Sequence, residues 1–201
     1  RHAHHHRAGL RVACGVSELS LTDRIVRLHQ DLERAELPHA FGGALALAFC
    51  TAEPRATIDI DVNVFVDPTR RDDVIGGLPG GVTVTEANRS ELERDGQSRL
   101  WWDDTPVDVF LSNHPFHDHA EANRRLVPFA GIQLPVLACA DLAVFKAFFA
   151  RPKDAVDLAM MAAVAAVDLD QIETTVTALL DDPEERRAFF ARVRADLTQL
   201  R

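Results

Sequence analysis

The sequence predicts an α+β fold, in which a strand-rich first part is followed by a helical second part. Between residues 57 and 66 apolar and polar residues alternate strictly, which is typical of a β-strand with one buried face. Beyond Pro135 apolar residues recur at helical spacing in four segments: residues 140–150, 153–167, 169–180 and 183–200. Strands and helices that are segregated along a chain in this way indicate an α+β fold.

Length and composition fit one folded unit with a helical appendage. The chain has 201 residues, of which 47% are apolar and 26% charged, and these are ordinary values for globular proteins. We predict a core at residues 17–134 and a C-terminal helical half at residues 135–201. The histidine-rich residues 1–16 are interpreted as a disordered head, a tag remnant or an over-extended reading frame.

Charge, cysteines and hydropathy exclude several classes of protein. The longest nearly uncharged apolar run, residues 158–167, is shorter than the roughly 20 residues that span a bilayer, so we expect no membrane partner. Cys14, Cys50 and Cys139 are far apart in sequence, which predicts neither a disulfide framework nor a zinc knuckle and favours the reducing cytoplasm. A net charge of −9 argues against coating nucleic acid by bulk attraction, although a local basic strip stays open.

The first part of the chain alternates between helix and strand signals. Apolar residues at helical spacing predict a helix over residues 21–35, and a helix-forming run follows two glycines at residues 44–50. Two strand patterns flank a short polar segment and predict a hairpin between residues 98–102 and 107–111. The remaining predicted elements are a short helix, a turn and a short strand, at residues 68–75, 76–81 and 82–85.

Asp59 and Asp61 form an acidic pair on the clearest predicted strand. Two positions apart on a strand, both side chains point to one face, with about 6 to 7 Å between their Cα atoms. Like charges at this separation raise each other's pKa, so a cation is needed to keep both ionised. Carboxylate oxygens are hard ligands that suit Mg²⁺ or Mn²⁺, and the pair therefore predicts a metal site.

A third carboxylate, Asp108, interrupts the apolar alternation of the second hairpin strand. A hairpin could bring it beside Asp59 and Asp61, although it could equally face solvent. Three acids can hold two metal ions, of which one activates an attacking hydroxyl and the other braces a triphosphate and its leaving group. This arrangement predicts nucleotidyl transfer from a nucleoside triphosphate (NTP).

Gly42 and Gly43 stand at the start of a predicted helix. The free N–H groups and the dipole of a helix N-terminus favour an anion, and the missing side chains let a phosphate approach closely. We therefore predict that they bind phosphates. The sequence contains no Walker-type phosphate loop, and the glycines at residues 76–81 lack the context of a dinucleotide fingerprint.

Four motifs stand along the chain: FGGALA at residues 41–46, RATIDIDV at 55–62, DLAVFK at 141–146 and RPKDAVD at 151–157. Together they resemble the AbiEii and MenT-like nucleotidyltransferases of the DNA polymerase β superfamily. The resemblance extends over about residues 38 to 162. It implies a polymerase-β-type core, a mixed sheet with flanking helices, that carries a C-terminal helical bundle.

The resemblance also implies roles for individual residues. Asp59 and Asp61 would bind the metal, Lys146 would contact the triphosphate, and Asp157 would complete the catalytic site from the helical half. Among the four, Lys146 is one of only two lysines in the chain, which hints that a compact ammonium is needed there.

Two further residues of the motif RATIDIDV, Arg55 and Thr57, are predicted to bind the nucleotide. Thr57 matches the position where some relatives carry a phosphorylatable serine or threonine. In the helical half, Asp154 is interpreted as a structural anchor. His114, His117 and His119 are left out of the site, because residues 113–120 are interpreted as a loop with solvated histidines.

Members of the resembled family include toxins of toxin–antitoxin pairs, some of which add nucleotides to the 3′ end of tRNA. The resemblance therefore implies tRNA as a partner, together with a cognate antitoxin. A protein side chain and a small hydroxylated molecule such as an aminoglycoside remain alternative acceptors. A catalytically dead, metal-free binding subunit is the non-enzymatic alternative. The sequence does not specify the nucleotide that is transferred.

Overall fold

The computed structural model describes residues 19–54, 56–180, 182 and 184–200. The predicted head at residues 1–16 and the predicted nucleotide ligand Arg55 lie outside the described residues. The predicted boundary between a core and a helical half near residue 134 stays a prediction.

A seven-stranded mixed sheet is the centre of the described structure, with the strand order β3-β4-β5-β2-β1-β7-β6. Strand β2 pairs in parallel with β5 and antiparallel with β1. The strands are β1 (His39–Phe41), β2 (Ile60–Val64), β3 (Val82–Thr83), β4 (Gln97–Trp102), β5 (Thr105–Leu111), β6 (Arg125–Phe129) and β7 (Ile132–Val136).

Helices flank the sheet and make up the last third of the described chain. They are α1 (Leu21–Arg34), α2 (Gly43–Thr51), α3 (Arg71–Gly77), α4 (Glu86–Asp95), α5 (Phe116–Asn123), α6 (Cys139–Phe149), α7 (Pro152–Ala163), α8 (Leu169–Leu179) and α9 (Glu184–Leu200), with a 3₁₀ turn at Pro68–Arg70. The predicted α+β class and the helical C-terminal region are confirmed. Residues from the central strands and from the inner faces of these helices form one apolar core.

The predicted strand over residues 57–66 is shorter in the structure, where β2 covers Ile60–Val64. Ile58 is 79% exposed, although the alternation assigns it to the buried face. The Thr57 hydroxyl bonds to the Asp59 side chain, so residues 57–59 form a loop that leads into the strand. The predicted hairpin is present, but its turn is tighter than expected because Thr105 and Pro106 already pair with β4.

The sequence patterns did not predict two parts of the fold. The segment interpreted as a histidine-rich loop contains α5, which buries only His117 and Ala120 and so shows no apolar stripe. The β6–β7 hairpin was not predicted either, because β6 is an edge strand whose exposed and buried residues do not alternate. In both places the tertiary environment decides the local structure, and the intrinsic pattern does not.

The expectation that the cysteines are unpaired is wrong for two of the three. Cys50 near the end of α2 and Cys139 at the start of α6 form a disulfide across a Cα–Cα distance of 5.6 Å. Their sequence separation of 89 residues gives no motif, and only the packing of α2 against α6 brings them together. Disulfides persist in oxidising compartments, so cysteine usage no longer supports a cytoplasmic location, which stays a prediction.

The search for membrane spans gives a negative result for the described residues. None of their helices combines the length and the apolar character that crossing a bilayer requires.

Candidate active site

The predicted acidic residues Asp59, Asp61 and Asp108 lie near one another at the start of β2 and form an acidic face. Asp61 on β2 and Asp108 on β5 are register partners in a parallel strand pair, and Asp59 lies two residues before Asp61. Asp61 is half-buried, and burial together with the charges of Asp59 and Asp108 raises its pKa to about 6. The positive charges of Lys153 and Lys146 lower the pKa of Asp61 by a smaller amount. The face therefore concentrates negative charge and favours a bound cation.

Two of these carboxylates have partners that sequence analysis did not foresee. Arg99 on β4 binds Asp108 with both ends of its guanidinium, Nε to Oδ1 and Nη2 to Oδ2, each at 2.7 Å. Asp59 accepts a hydrogen bond from the Thr57 hydroxyl. Among the described residues, no group of metal-ligating atoms within 4.8 Å of one another includes all three acids. The role of Asp108 as a metal ligand stays a prediction, because Arg99 now engages it.

Gly42 and Gly43 pack directly against Asp61. The Gly42 N–H donates a hydrogen bond to the Asp61 carbonyl at 2.9 Å. Gly43 begins helix α2 with a φ of +53°, and a Cβ atom there would lie 1.8 Å from Asp61 Oδ2. Only glycine fits this position, since any side chain would collide with the carboxylate and strain the backbone. The helix N-terminus is thus held beside the acidic face, as the phosphate-binding prediction requires.

Lys146 is a buried ammonium held by two buried carboxylates. Its Nζ lies 2.7 Å from Asp157 Oδ2 and 3.5 Å from Asp154 Oδ1. Asp154 is fully buried and also binds Arg151 at 2.7 Å, so it does anchor the start of α7. Because Asp157 contacts Lys146 directly, its carboxylate can hold the lysine side chain in position.

We expect the Asp157→Asn substitution to destabilise the fold strongly, because it removes one partner of a buried ion pair. Such losses cost about 3 to 5 kcal/mol, whereas an exposed pair is worth less than about 1 kcal/mol. Asp73→Asn is the matched control, because Asp73 pairs with Arg70 at 2.9 Å with both side chains more than half exposed. Urea denaturation at pH 7 measures both variants. Equal losses of stability would show that the buried pair does not hold Lys146.

Asp61 lies between two cavities. The first, of about 360 Å³, is lined by Gly43, Asp61, Lys146 and Arg151. Aromatic rings form much of its remaining wall: Phe110, Phe116, Phe145, Phe148 and Phe149. The second, of about 460 Å³, also contains Asp61 and Gly42 in its lining. Its other walls come from α1, α2, the loop before β2 and strand β6, including Leu21, Ile25, Phe49, Thr57, Asp59 and Phe129.

The predicted site residues are only partly gathered around the cavities, because Asp108 and Asp157 line neither of them. Thr57 lines the second cavity with Asp59, whereas the predicted triphosphate ligand Lys146 lines the first. The histidines left out of the site do not form a metal cluster in the described chain. His117 is buried with Nδ1 3.0 Å from the His114 carbonyl, and His119 pairs with Asp141 at 3.3 Å.

Three cations near the acidic face were missed by sequence reasoning: Arg99, Arg151 and Lys153. Arg151 lines the first cavity and interacts electrostatically with Asp61 and Asp108, which contribute to raising its pKa after the larger effect of Asp154. Arg151 and Lys153 stand inside the quoted RPKDAVD motif, so their position was available from the sequence. Arg99 could have been found from the predicted hairpin, because it is the register partner of Asp108.

Comparisons with known proteins give neighbours in structure only. No protein-family model matches the sequence, and no curated protein matches it. An antigenic nucleotidyltransferase-like protein from Paracoccidioides brasiliensis has a TM-score of 0.48 and 14% identity, over 87% of this chain and 92% of that one. ANT(2'')-Ia in complex with adenylyl-2''-tobramycin has a TM-score of 0.49 and 16% identity, over 87% and 97%. The solution structure of the same antibiotic-resistance factor has a TM-score of 0.49 and 14% identity, over 89% and 94%.

These neighbours are a nucleotidyltransferase-like protein and an antibiotic-resistance factor bound to an adenylylated compound. The similarity concerns the fold.

Proposed function

We propose that the chain is a nucleotidyltransferase that moves a nucleoside monophosphate from an NTP to an acceptor hydroxyl and releases pyrophosphate. One observation carries the proposal: an acidic face stands between two cavities, and one of them has a glycine-started helix and a buried lysine in its wall. A transfer reaction needs two substrates that meet at one charged centre, and this arrangement supplies a separate place for each.

The first cavity suits the NTP. The N-terminus of α2 at Gly43, the ammonium of Lys146 and the guanidinium of Arg151 are the anion-binding groups on its wall. The aromatic rings that line the rest of the cavity offer faces on which a nucleobase can stack. The triphosphate would then run along the cationic groups, with its α-phosphorus next to Asp61.

The donor set on the acidic face fits a hard divalent cation, because Asp59, Asp61 and Asp108 supply only carboxylate oxygens. Burial, and after it the charges of Asp59 and Asp108, raise the pKa of Asp61, so a bound cation would help to keep this carboxylate ionised at neutral pH. Asp59 and Asp61 would hold Mg²⁺ or Mn²⁺, and Asp108 would join them if Arg99 moved to a phosphate. When bound, the metal lowers the pKa of the attacking hydroxyl and neutralises charge on the phosphates.

The residues of the chain then divide the reaction between them. An acceptor hydroxyl in the second cavity attacks the α-phosphorus, and a new oxygen–phosphorus bond forms as the bond to the bridging oxygen of pyrophosphate breaks. Asp59 lines the second cavity and would take the hydroxyl proton with the carboxylate oxygen that does not hold the metal. Lys146 and Arg151 stay with the departing pyrophosphate, whose negative charge they stabilise.

For the acceptor, we propose the 3′ end of tRNA, as in the toxins that the sequence motifs resemble. The second cavity supports a terminal nucleotide, since Phe49 and Phe129 line it together with apolar residues of α1. On this proposal the chain is the toxin of a toxin–antitoxin pair, and a cognate antitoxin is its partner.

A small polycationic acceptor such as an aminoglycoside is the second candidate. The net charge of −9 favours it, because a negatively charged protein attracts a cation and repels RNA at long range. A protein side chain, including one of an antitoxin, is a third acceptor that the same chemistry can serve. A catalytically dead core is disfavoured by the retention of Asp59, Asp61 and Lys146 around the cavities.

An acceptor screen tests the proposal. The full chain is incubated with each α-labelled NTP and Mg²⁺, in separate reactions with total tRNA, with cell protein or with an aminoglycoside. We expect label on tRNA, and we expect removal of its 3′ terminal hydroxyl by periodate to abolish the signal. Label on the aminoglycoside or on protein would identify a different acceptor and would still support the proposed transferase activity. The absence of label in every reaction would overturn the proposed function.

A further inference from the structure

Two histidines and a glutamate meet where helix α1 packs beside strand β1, outside both cavities. They are His29 and Glu33 of α1 and His39 of β1. One ring nitrogen from each histidine and a carboxylate oxygen of Glu33 all lie within 4.8 Å of one another. Among the described residues, no other group of three such side chains is as close.

The orientation of His39 is fixed by its surroundings. The residue is only 2% exposed, and its Nδ1 lies 2.8 Å from the Leu37 carbonyl. A carbonyl can only accept, so Nδ1 carries the proton and Nε2 presents a lone pair. The ring also packs edge-on against Phe41 at a centroid distance of 6.0 Å. A histidine whose second nitrogen donates to a backbone carbonyl has the arrangement found in metal-ligating histidines.

The lone pair of His39 points at a second imidazole. His29 Nδ1 lies 2.9 Å from His39 Nε2, and in the absence of metal His29 donates the proton of this hydrogen bond. A neutral histidine can instead carry its proton on Nε2, which frees Nδ1 as a second ligand without any change of net charge. His29 is half-buried, so its ring has room to adjust.

Glu33 supplies the charge that a cation requires. It stands four residues after His29, so both side chains lie on one face of α1. Its carboxylate is exposed and can turn toward the histidines without losing a buried contact. The positive charge of Arg124 acts on His39 electrostatically, and Arg124 itself pairs with Glu121 at 3.6 Å.

We infer that His29, Glu33 and His39 form a zinc site, with water as the fourth ligand. Two imidazole nitrogens and one carboxylate oxygen are a ligand set that Zn²⁺ accepts at about 2.0 to 2.2 Å. Tetrahedral bonds of that length separate ligand atoms by roughly 3.4 Å. The two nitrogens, which are 2.9 Å apart, therefore need to part slightly, and this movement falls to His29, the more exposed of the two histidines.

The zinc site would tie α1 to the sheet next to the proposed acceptor cavity. Leu21 and Ile25 of the same helix line that cavity, and so does Phe41 of β1. A bound metal would fix the position of this wall relative to Gly43, which follows β1 by two residues. The inference stands independently of the proposed transferase, because it rests on other residues.

Zinc binding by the full chain tests this inference, provided that the histidines of residues 1–16 cannot bind zinc. His2, His4, His5 and His6 could bind metal themselves, so each is replaced with alanine in every variant. Competition with a chromogenic chelator then measures the affinity. We expect one equivalent of zinc per chain, and a Tm that rises by about 5 °C or more at 100 times the dissociation constant.

Substitutions within the cluster provide the decisive contrast. His29→Ala should weaken zinc binding at least about 100-fold and Glu33→Gln at least about 10-fold, since changes to outer partners alone cost 10- to 100-fold. His119→Ala is the matched control, an exposed histidine outside the cluster, and should bind zinc as the parent does. Circular dichroism confirms that the variants are folded. Equal zinc affinity in the parent and His29→Ala, or no zinc bound by the parent, would leave only a histidine–histidine hydrogen bond and overturn the inference.

Discussion

Asp61→Asn is expected to reduce nucleotidyl transfer by about 10³-fold or more while the chain stays folded. Asp61 is in the lining of both cavities, and its carboxylate is the central oxygen ligand of the proposed metal site. Metal-ion catalysis contributes several kcal/mol to phosphoryl transfer, and each 1.36 kcal/mol corresponds to about a factor of ten in rate. The amide keeps the shape of the side chain and removes its charge. Initial rates with α-labelled NTP and Mg²⁺ measure the effect.

The same variant should be more stable than the parent at pH 7 when no metal is present. The pKa of Asp61 is about 6 in the folded state and 3.8 in its ordinary range, so the folded state binds the proton more tightly. The stability contributed by the protonated form is full below about pH 4 and is lost as the pH rises through 6. The loss at pH 7 is about 2 to 3 kcal/mol, and asparagine avoids it. Urea denaturation at pH 4 and pH 7, with and without Mg²⁺, measures the difference.

Asp118→Asn is the control for both measurements, because Asp118 is an exposed carboxylate in the first turn of α5. It should change neither the transfer rate nor the pH dependence of stability by a comparable amount. An Asp61→Asn variant that transfers nucleotide at the parental rate would remove Asp61 from the mechanism. If the stability of the parent and that of Asp61→Asn changed by the same amount between pH 4 and pH 7, the folded state would not raise the pKa of Asp61.

Gly43→Ala should reduce transfer by about 100-fold or more and destabilise the fold by about 1 to 3 kcal/mol. The new Cβ would lie 1.8 Å from Asp61 Oδ2, so either the carboxylate or the start of α2 has to move. A displacement of about 1 Å at a reacting centre can cost 10²-fold in rate. The φ of +53° adds backbone strain for alanine. Initial rates and thermal melts measure the two effects.

Gly76→Ala is the matched control for this substitution. Gly76 lies in α3, and a Cβ there would meet no atom within 4 Å. Alanine in a helix is favoured over glycine by up to about 1 kcal/mol, so this variant should be as stable as the parent or slightly more stable. A Gly43→Ala variant that matches Gly76→Ala in rate and stability would show that the contact between α2 and Asp61 is not needed.

The parts of the fold that the sequence predicts are those with a strong local pattern. Helix α1 has apolar residues at regular helical spacing, and it begins with a Ser20–Asp23 capping box. The glycines at the start of α2 predict a helix N-terminus, and the alternation around Asp61 predicts the acidic strand. Each of these features is encoded within about ten neighbouring residues, so no tertiary information is needed.

The features that the sequence does not predict depend on contacts between distant segments. The ion pair of Arg99 with Asp108 follows from the register of a hairpin, and the Cys50–Cys139 disulfide from the packing of α2 against α6. The approach of His29 to His39 depends on how α1 lies beside β1. Helix α5 and the β6–β7 hairpin have weak patterns of their own, so their structure is decided by burial against the rest of the chain.

The most direct test of the account is metal-dependent transfer of label by the full chain from an α-labelled NTP to an acceptor. We predict label on the acceptor with Mg²⁺, its loss when EDTA is added, and its absence in Asp59→Ala and Asp61→Ala chains that remain folded. Transfer that continues at the same rate in either aspartate variant would contradict the claim that this acidic face performs the reaction.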